Sequence, residues 1–211
     1  MIPLNLRLKK IKQKEMADMQ DLIIKELQKE FSNAVLHGGT AIWRCYNGNR
    51  FSEDIDVYMI KDMEKINNLF KNLERSGLII EKKNISKNSI YSLLRLDRTA
   101  VRFEALFKII NGSLKEYETT DGNLITIRTL SPEELINEKI NAYLNRFKIR
   151  DLYDIFFLLR YIKTKKDISN NLKKLVFHFK DPVDKDELRV LIFEGIIPNT
   201  KEMLAYIKRF L

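Results

Sequence analysis

Hydrophobic residues along this chain repeat with two periods, one helical and one of strands. Between residues 8 and 31, Ile11, Met16, Met19, Ile23, Ile24, Leu27 and Phe31 recur at helical spacing among Lys, Glu and Gln, which predicts an amphipathic helix. Its acidic residues, Glu15, Asp18, Asp21, Glu26 and Glu30, would be repelled by anionic lipid, so it is read as a packing helix. Residues 34–36 predict a short strand, 40–46 the start of a helix, and 51–60 contain a second strand. From 62 to 76, Ile66, Leu69, Phe70 and Leu73 form the inner face of a helix that Gly77 stops. Residues 78–82 predict a strand. Residues 89–96 and 101–109 predict a hairpin around Asp97-Arg98-Thr99. In its second arm, Val101, Phe103, Ala105 and Phe107 share one face, and Arg102, Glu104 and Leu106 the other.

The pattern changes near residue 125. After a short strand at 125–127, Ser131-Pro132-Glu133-Glu134 combines a serine N-cap, proline at the first helical position and glutamate at the third. A helix is predicted from there to about 146 and another from 151 to 161. The remainder is helical in character, with loops near Asp181-Pro182 and Ile197-Pro198-Asn199. The expectation is an α/β front half, residues 1–125, followed by a helical C-terminal domain, 126–211, with the seam near 120–131.

Charge narrows the partners. The 38 Lys and Arg against 29 Asp and Glu leave a net charge of +9, which favours phosphate-rich partners, nucleic acid above all. A generally Lys-rich proteome would give the same excess. The runs Lys163-Thr164-Lys165-Lys166 and Lys173-Lys174 suit an RNA backbone or a solvated helical surface. One cysteine, Cys45, excludes an internal disulfide and a Cys-based zinc site, and fits a reducing, cytoplasmic setting. The first residues lack the apolar stretch of a secretory signal. Runs such as 152–159 are too short to span a bilayer, so no membrane role is expected.

The candidate chemistry lies in two neighbouring segments, His37-Gly38-Gly39-Thr40-Ala41 and Arg50-Phe51-Ser52-Glu53-Asp54-Ile55-Asp56-Val57. Glycines at a strand-to-helix turn let backbone N–H groups approach a phosphate. Asp54 and Asp56, spaced i, i+2 in a run that reads as a strand, would point the same way. Two adjacent carboxylates are costly without a cation between them. Phosphate beside paired carboxylates suggests Mg²⁺ and phosphoryl or nucleotidyl transfer.

These residues resemble the nucleotidyltransferase superfamily that includes DNA polymerase beta, and more closely the AbiEii/AbiGii toxin family, with its Gly-Gly-Thr-Ala and Arg-x-Ser-x-Asp-Ile-Asp signature. A second block similar to that family is Glu138-Lys139-Ile140-Asn141-Ala142, then Arg146, then Arg150-Asp151-Leu152-Tyr153-Asp154. The resemblance covers roughly residues 30 to 160. It implies a minimal nucleotidyltransferase fold, a small mixed sheet flanked by helices, with the active site in the cleft beside the helical domain.

The resemblance also suggests roles. Gly38, Gly39 and Thr40 would hold the triphosphate of an NTP, and Asp54 and Asp56 would hold Mg²⁺. Ser52 would brace Asp54 or touch phosphate. Arg50 would pair with a phosphate or the carboxylates, or form a loop salt bridge. Glu104 is a candidate third carboxylate, with a surface pair to Arg102 as the other reading. Lys139 would neutralise phosphate charge from the far wall. Asp151 would orient Lys139 or the acceptor, and a buried ion pair with Arg146 would explain it equally. His37 and His178 are read as non-catalytic, and Trp43, Tyr46 and Tyr58 as core. The implied activity is transfer of a nucleoside monophosphate to RNA, the tRNA 3′ end in known relatives, by the toxin of a type IV-like pair with an AbiEi-like antitoxin. A protein acceptor, a small-molecule acceptor and a non-catalytic nucleotide- or RNA-binding module stay open.

Overall fold

The computed structural model describes residues 2–162 and 164–211. Met1 and Lys163, the first residue of one basic run, lie outside the described residues. A four-residue helix α1 (Leu4–Arg7), which was not expected, precedes the long helix α2 (Ile11–Glu30), so the helix expected over 8–31 starts three residues later. Strand β1 (Val35–His37) leads directly into α3 (Gly38–Cys45). Strand β2 (Ile55–Met59) is followed by α4 (Met63–Arg75), which Asp62 caps by accepting from the Lys65 amide. Gly77, at φ +92°, takes the left-handed conformation that ends this helix.

Strands β3 (Ile79–Ile85), β4 (Ser89–Leu96) and β5 (Thr99–Phe107) form a meander. The turn between β4 and β5 contains Asp97 at φ +51°, a conformation that Asp tolerates better than most residues. Strand β6 (Ser113–Glu118) pairs antiparallel with β7 (Leu124–Thr129). The hydrophobic pattern did not announce β6, because its side chains are exposed up to the buried Tyr117 and Glu118.

All seven strands join one mixed sheet in the order β3-β4-β5-β2-β1-β7-β6. The pairings β2 with β5 and β1 with β7 are parallel, and β1 with β2 between them is antiparallel. One face buries Ile55, Val57, Met59, Phe103 and Ala105, and there β5 packs against α2, which in turn packs against α4. Full burial of such side chains contributes roughly 1.5–3 kcal/mol each.

The C-terminal part is helical, as expected. Helix α5 (Pro132–Arg146) begins with the predicted capping box: Ser131 accepts from the Glu134 amide, and the Glu134 carboxylate accepts from the Ser131 amide. It packs against α6 (Ile149–Leu158), which starts two residues before the expected position. Helices α7 (Lys166–Phe177), α8 (Leu188–Leu191) and α9 (Thr200–Lys208) complete the fold. Among the described residues no helix is long and apolar enough to cross a membrane.

Candidate active site

The site begins where β1 runs into α3 without a loop. Gly38 sits at φ +70°, and a Cβ there would lie 2.5 Å from Asp56 Oδ2. A Cβ on Gly39 would lie 2.5 Å from Ser52 Oγ and 2.6 Å from Arg50 Nη2. Gly38 is therefore required by conformation and by contact, and Gly39 by contact alone. The α3 amides unused by its own hydrogen bonds start at this turn. Thr40 is fully buried, and its hydroxyl donates to the Asp54 carbonyl. It therefore holds the carboxylate-bearing segment against α3 and does not line the cleft.

Residues 49–54 are held from two sides. Phe51 N–H donates to Leu191 O at 2.9 Å and Phe193 N–H to Asn49 O at 3.1 Å, so the C-terminal part clamps this segment. From α2, the buried Gln20 amide donates to Ser52 O at 2.9 Å and Glu53 O at 3.1 Å. Asp54 immediately precedes β2 and Asp56 lies within it. The register puts Asp56 beside His37 on β1 and beside Glu104 on β5. Asp54, Asp56 and Glu104 therefore meet at one end of the sheet.

Between these carboxylates stands a residue the sequence reading gave no part in the site. Arg102 binds Asp54 through Nη2 and lies 3.0 Å from Glu104 Oε1 through Nε. Its position two residues before Glu104 on the same strand face was the available signal. Burial, then the Asp54 charge, raises the Asp56 pKa above the usual carboxylate range, against the opposing pull of His37, Lys139 and Arg102. Glu104 is raised too, by burial first; Arg102 counters this, and Asp56 and Asp54 add to it.

The far wall comes from α5 and α6. Asp151 and Asp154 are fully buried and do not line the cleft. Asp154 takes a two-pronged pair from Arg50, both N–O distances 2.8 Å, and Lys139 Nζ at 2.8 Å. Asp151 takes a matching pair from Arg146 at 2.7 and 2.8 Å, with Lys139 at 3.7 Å. Both readings of Asp151 thus meet in one network. Burial would raise Asp154, but Arg50 and Lys139 outweigh it and hold its pKa low. Tyr143 and Arg146 continue the helical stripe of Lys139, but Tyr143 is core and donates to Lys180 O. The neighbouring Glu138 accepts from Tyr58 at 2.6 Å and contacts His37 Nδ1 at 3.2 Å; His37 and Tyr58 stack at 4.0 Å.

These walls enclose a cavity of about 330 Å³. Asp54, Asp56 and Glu104 line it together with Arg102, Gly39 and Ser52. Arg50, Lys139, Arg146 and Arg150 supply positive charge. Of the residues proposed from sequence, Gly39, Arg50, Ser52, Asp54, Asp56, Glu104 and Lys139 are brought together here, with Gly38 beside Asp56. Among the described residues no three His, Cys, Asp or Glu side chains form a ready metal cage. The pair Asp54 and Asp56 still suits Mg²⁺, which takes one or two carboxylates and fills its shell with phosphate oxygens and water. Arg102 already supplies a cation to Asp54.

Solved structures share the fold. A putative nucleotidyltransferase from Helicobacter pylori shares the fold at TM-score 0.67 and 20% identity, covering 96% of each chain. JHP933 from Helicobacter pylori gives 0.66 at 18% identity, over 95% of this chain and 90% of that one. MenT4, a nucleotidyltransferase toxin from Mycobacterium tuberculosis, gives 0.64 at 16%, over 95% and 84%. No curated protein sequence matches. The family described as nucleotidyl transferase AbiEii toxin, type IV toxin–antitoxin system, matches residues 22–210. That span takes in every residue lining the cleft, so the chain belongs to the AbiEii family of toxin nucleotidyltransferases.

Proposed function

We propose that this enzyme transfers a nucleoside monophosphate from an NTP to a hydroxyl of RNA, with the tRNA 3′ end as acceptor and Mg²⁺ as cofactor. The observation carrying the proposal is the 2.5 Å approach that a Gly38 Cβ would make to Asp56. It means that the phosphate-binding turn and the carboxylates form one surface. Free amides at the start of α3, with Arg50 beside them and Lys139 on the far wall, suit a triphosphate. Asp54 and Asp56 would hold Mg²⁺, which would supply charge stabilisation at the reacting and leaving phosphates. Asp151 and Asp154 position cations and touch no substrate in this reading, and Thr40 positions Asp54. Ser52, beside Gly39, offers a hydroxyl to phosphate.

In the step itself, the acceptor hydroxyl oxygen forms a bond to the α-phosphorus while the bond to the β-phosphate oxygen breaks. Pyrophosphate leaves and the hydroxyl proton passes to Glu104. A carboxylate with a raised proton affinity is suited to that role. The net charge of +9 favours an RNA acceptor. By family, the toxin would act in the cytoplasm and be countered by an AbiEi-like antitoxin.

The test incubates the chain with Mg²⁺, total RNA and each NTP labelled at the α-phosphate, with Asp56→Ala alongside. A labelled tRNA-sized product lost in the variant is expected. Label entering only protein or a small molecule would overturn the RNA reading, and no incorporation in whole lysate would overturn the transfer reading.

A further inference from the structure

The active-site face of the sheet does not end at the cleft. Asp56, Glu104, Tyr91 and Asn84 lie in register across β2, β5, β4 and β3. Directly paired residues project to the same face. The adjoining rows bring Arg102, Leu93 and Lys82 to this face on one side, and Tyr58, Leu106 and Ser89 on the other. Burial follows the alternation. On β4, Ile90, Ser92 and Leu94 are buried, whereas Ser89, Tyr91 and Leu93 are half-exposed. On β3, Lys82 and Asn84 are exposed, and Leu106 on β5 is 46% exposed. The opposite face of these strands carries the core against α2.

This open surface is aromatic, aliphatic and cationic together. Lys82 Nζ lies 5.2 Å from the centre of the half-exposed Tyr91 ring; Lys108 Nζ lies 5.4 Å from that of Tyr58, which is itself buried and stacked on His37. A half-exposed ring with a lysine beside it and two accessible leucines make a surface that is apolar and cationic together. A single-stranded nucleic acid uses both features, stacking bases on aromatic rings and setting phosphates beside cations.

We propose that the open face of β3, β4 and β5 is the platform for the single-stranded 3′ end of the RNA acceptor, with a base on Tyr91. The inference rests on the RNA reading above and specifies how that substrate is held. Strands spaced about 4.8 Å apart place Tyr91 about 10 Å from Asp56, so a base stacked there is within a nucleotide or two of the reacting hydroxyl. Glu104 lies between them, facing the incoming strand. Lys82 and Lys108 take phosphates at the margins.

The test measures steady-state transfer to purified tRNA for the parent, Tyr91→Ala, Tyr91→Phe and Leu106→Ala, with NTP and RNA varied separately. Tyr91 and Leu106 are partly exposed, so the variants should melt close to the parent. Base stacking predicts that Tyr91→Ala raises the KM for RNA about tenfold, leaves the KM for NTP unchanged, and is rescued by Tyr91→Phe. Leu106→Ala should raise the RNA KM severalfold. Ultraviolet cross-linking of a short single-stranded RNA should mark the peptide containing Tyr91. Transfer by the parent with an RNA KM indifferent to Tyr91→Ala would overturn the platform while leaving the functional reading intact. Failure of the parent to label any RNA, with label entering protein instead, would overturn both.

Discussion

Replacing Asp154 with Asn keeps the size of the side chain and removes its charge. Asp154 and Arg50 are 1% and 5% exposed, and their two 2.8 Å contacts are shared with Lys139 at 2.8 Å. The amide would leave two buried or nearly buried cations facing a neutral group, with one acceptor atom lost. Breaking a buried pair in this way costs about 3–5 kcal/mol. For a chain of this size that corresponds to a fall in Tm of roughly 6–20 °C. The pH dependence is a second check. The folded pKa of Asp154 is held below its unfolded value, so its contribution is fully present above the unfolded pKa and disappears as pH falls through the folded one. The gap between parent and Asp154→Asn should therefore be widest near neutrality and narrow below about pH 4. The assay is thermal unfolding across pH by circular dichroism. A variant melting within a degree or two of the parent at pH 7, or a gap that widens in acid, would refute the argument that Asp154 is the anionic anchor of the cleft.

The opposite behaviour is expected at Asp56, whose folded pKa is raised: without Mg²⁺, Asp56→Asn should leave Tm unchanged or higher near pH 7, with the difference fading below about pH 4, while labelled transfer is lost. A clear fall in metal-free Tm would contradict the account of that carboxylate as repelled and desolvated. Gly39→Ala forces a Cβ to 2.5 Å from Ser52 Oγ and 2.6 Å from Arg50 Nη2; Tm should drop and NTP binding by calorimetry should weaken at least tenfold, and unchanged NTP affinity would remove the turn from the site. Arg102→Ala uncovers Asp54 and Glu104, so the rise in Tm on adding Mg²⁺ should begin at lower metal concentration than in the parent; an unaltered Mg²⁺ response would show that Arg102 does not compete for these oxygens.

Much of the fold could be read from spacing. The capping box at Ser131 and the helix stop at Gly77 are local signals whose hydrogen bonds and dihedral depend on a few neighbouring residues, and both stand as expected. The β4–β5 hairpin was legible because Val101, Phe103 and Ala105 alternate with polar residues over one buried face. Strand β6 was not, because an edge strand with its first four side chains exposed needs no apolar alternation. The start of β2 shows a different limit. Asp54 belongs to the segment held by Thr40 and Gln20, not to the ladder, and those contacts join residues 14 and about thirty positions apart.

The same distinction governs the site. Motif spacing brought attention to the glycines and carboxylates, but it could not say that Asp151 and Asp154 act behind the cleft wall. Their burial follows from the packing of α6 on α5, which neither segment encodes alone. Once both are buried, each must be matched by cations, because an isolated carboxylate in the interior is strongly disfavoured. Arg50, before β2, and Lys139 and Arg146, both on α5, meet that need from two separate parts of the chain. The electrostatic requirement of the core therefore fixes where positive charge emerges into the cavity. A Lys or Arg whose stem and charge are held from behind loses little further freedom when a phosphate arrives, which favours tight and oriented binding. Asp151 and Asp154 are in this sense part of the proposed phosphate site without lining it, and their spacing in the sequence is set by the helix that buries them.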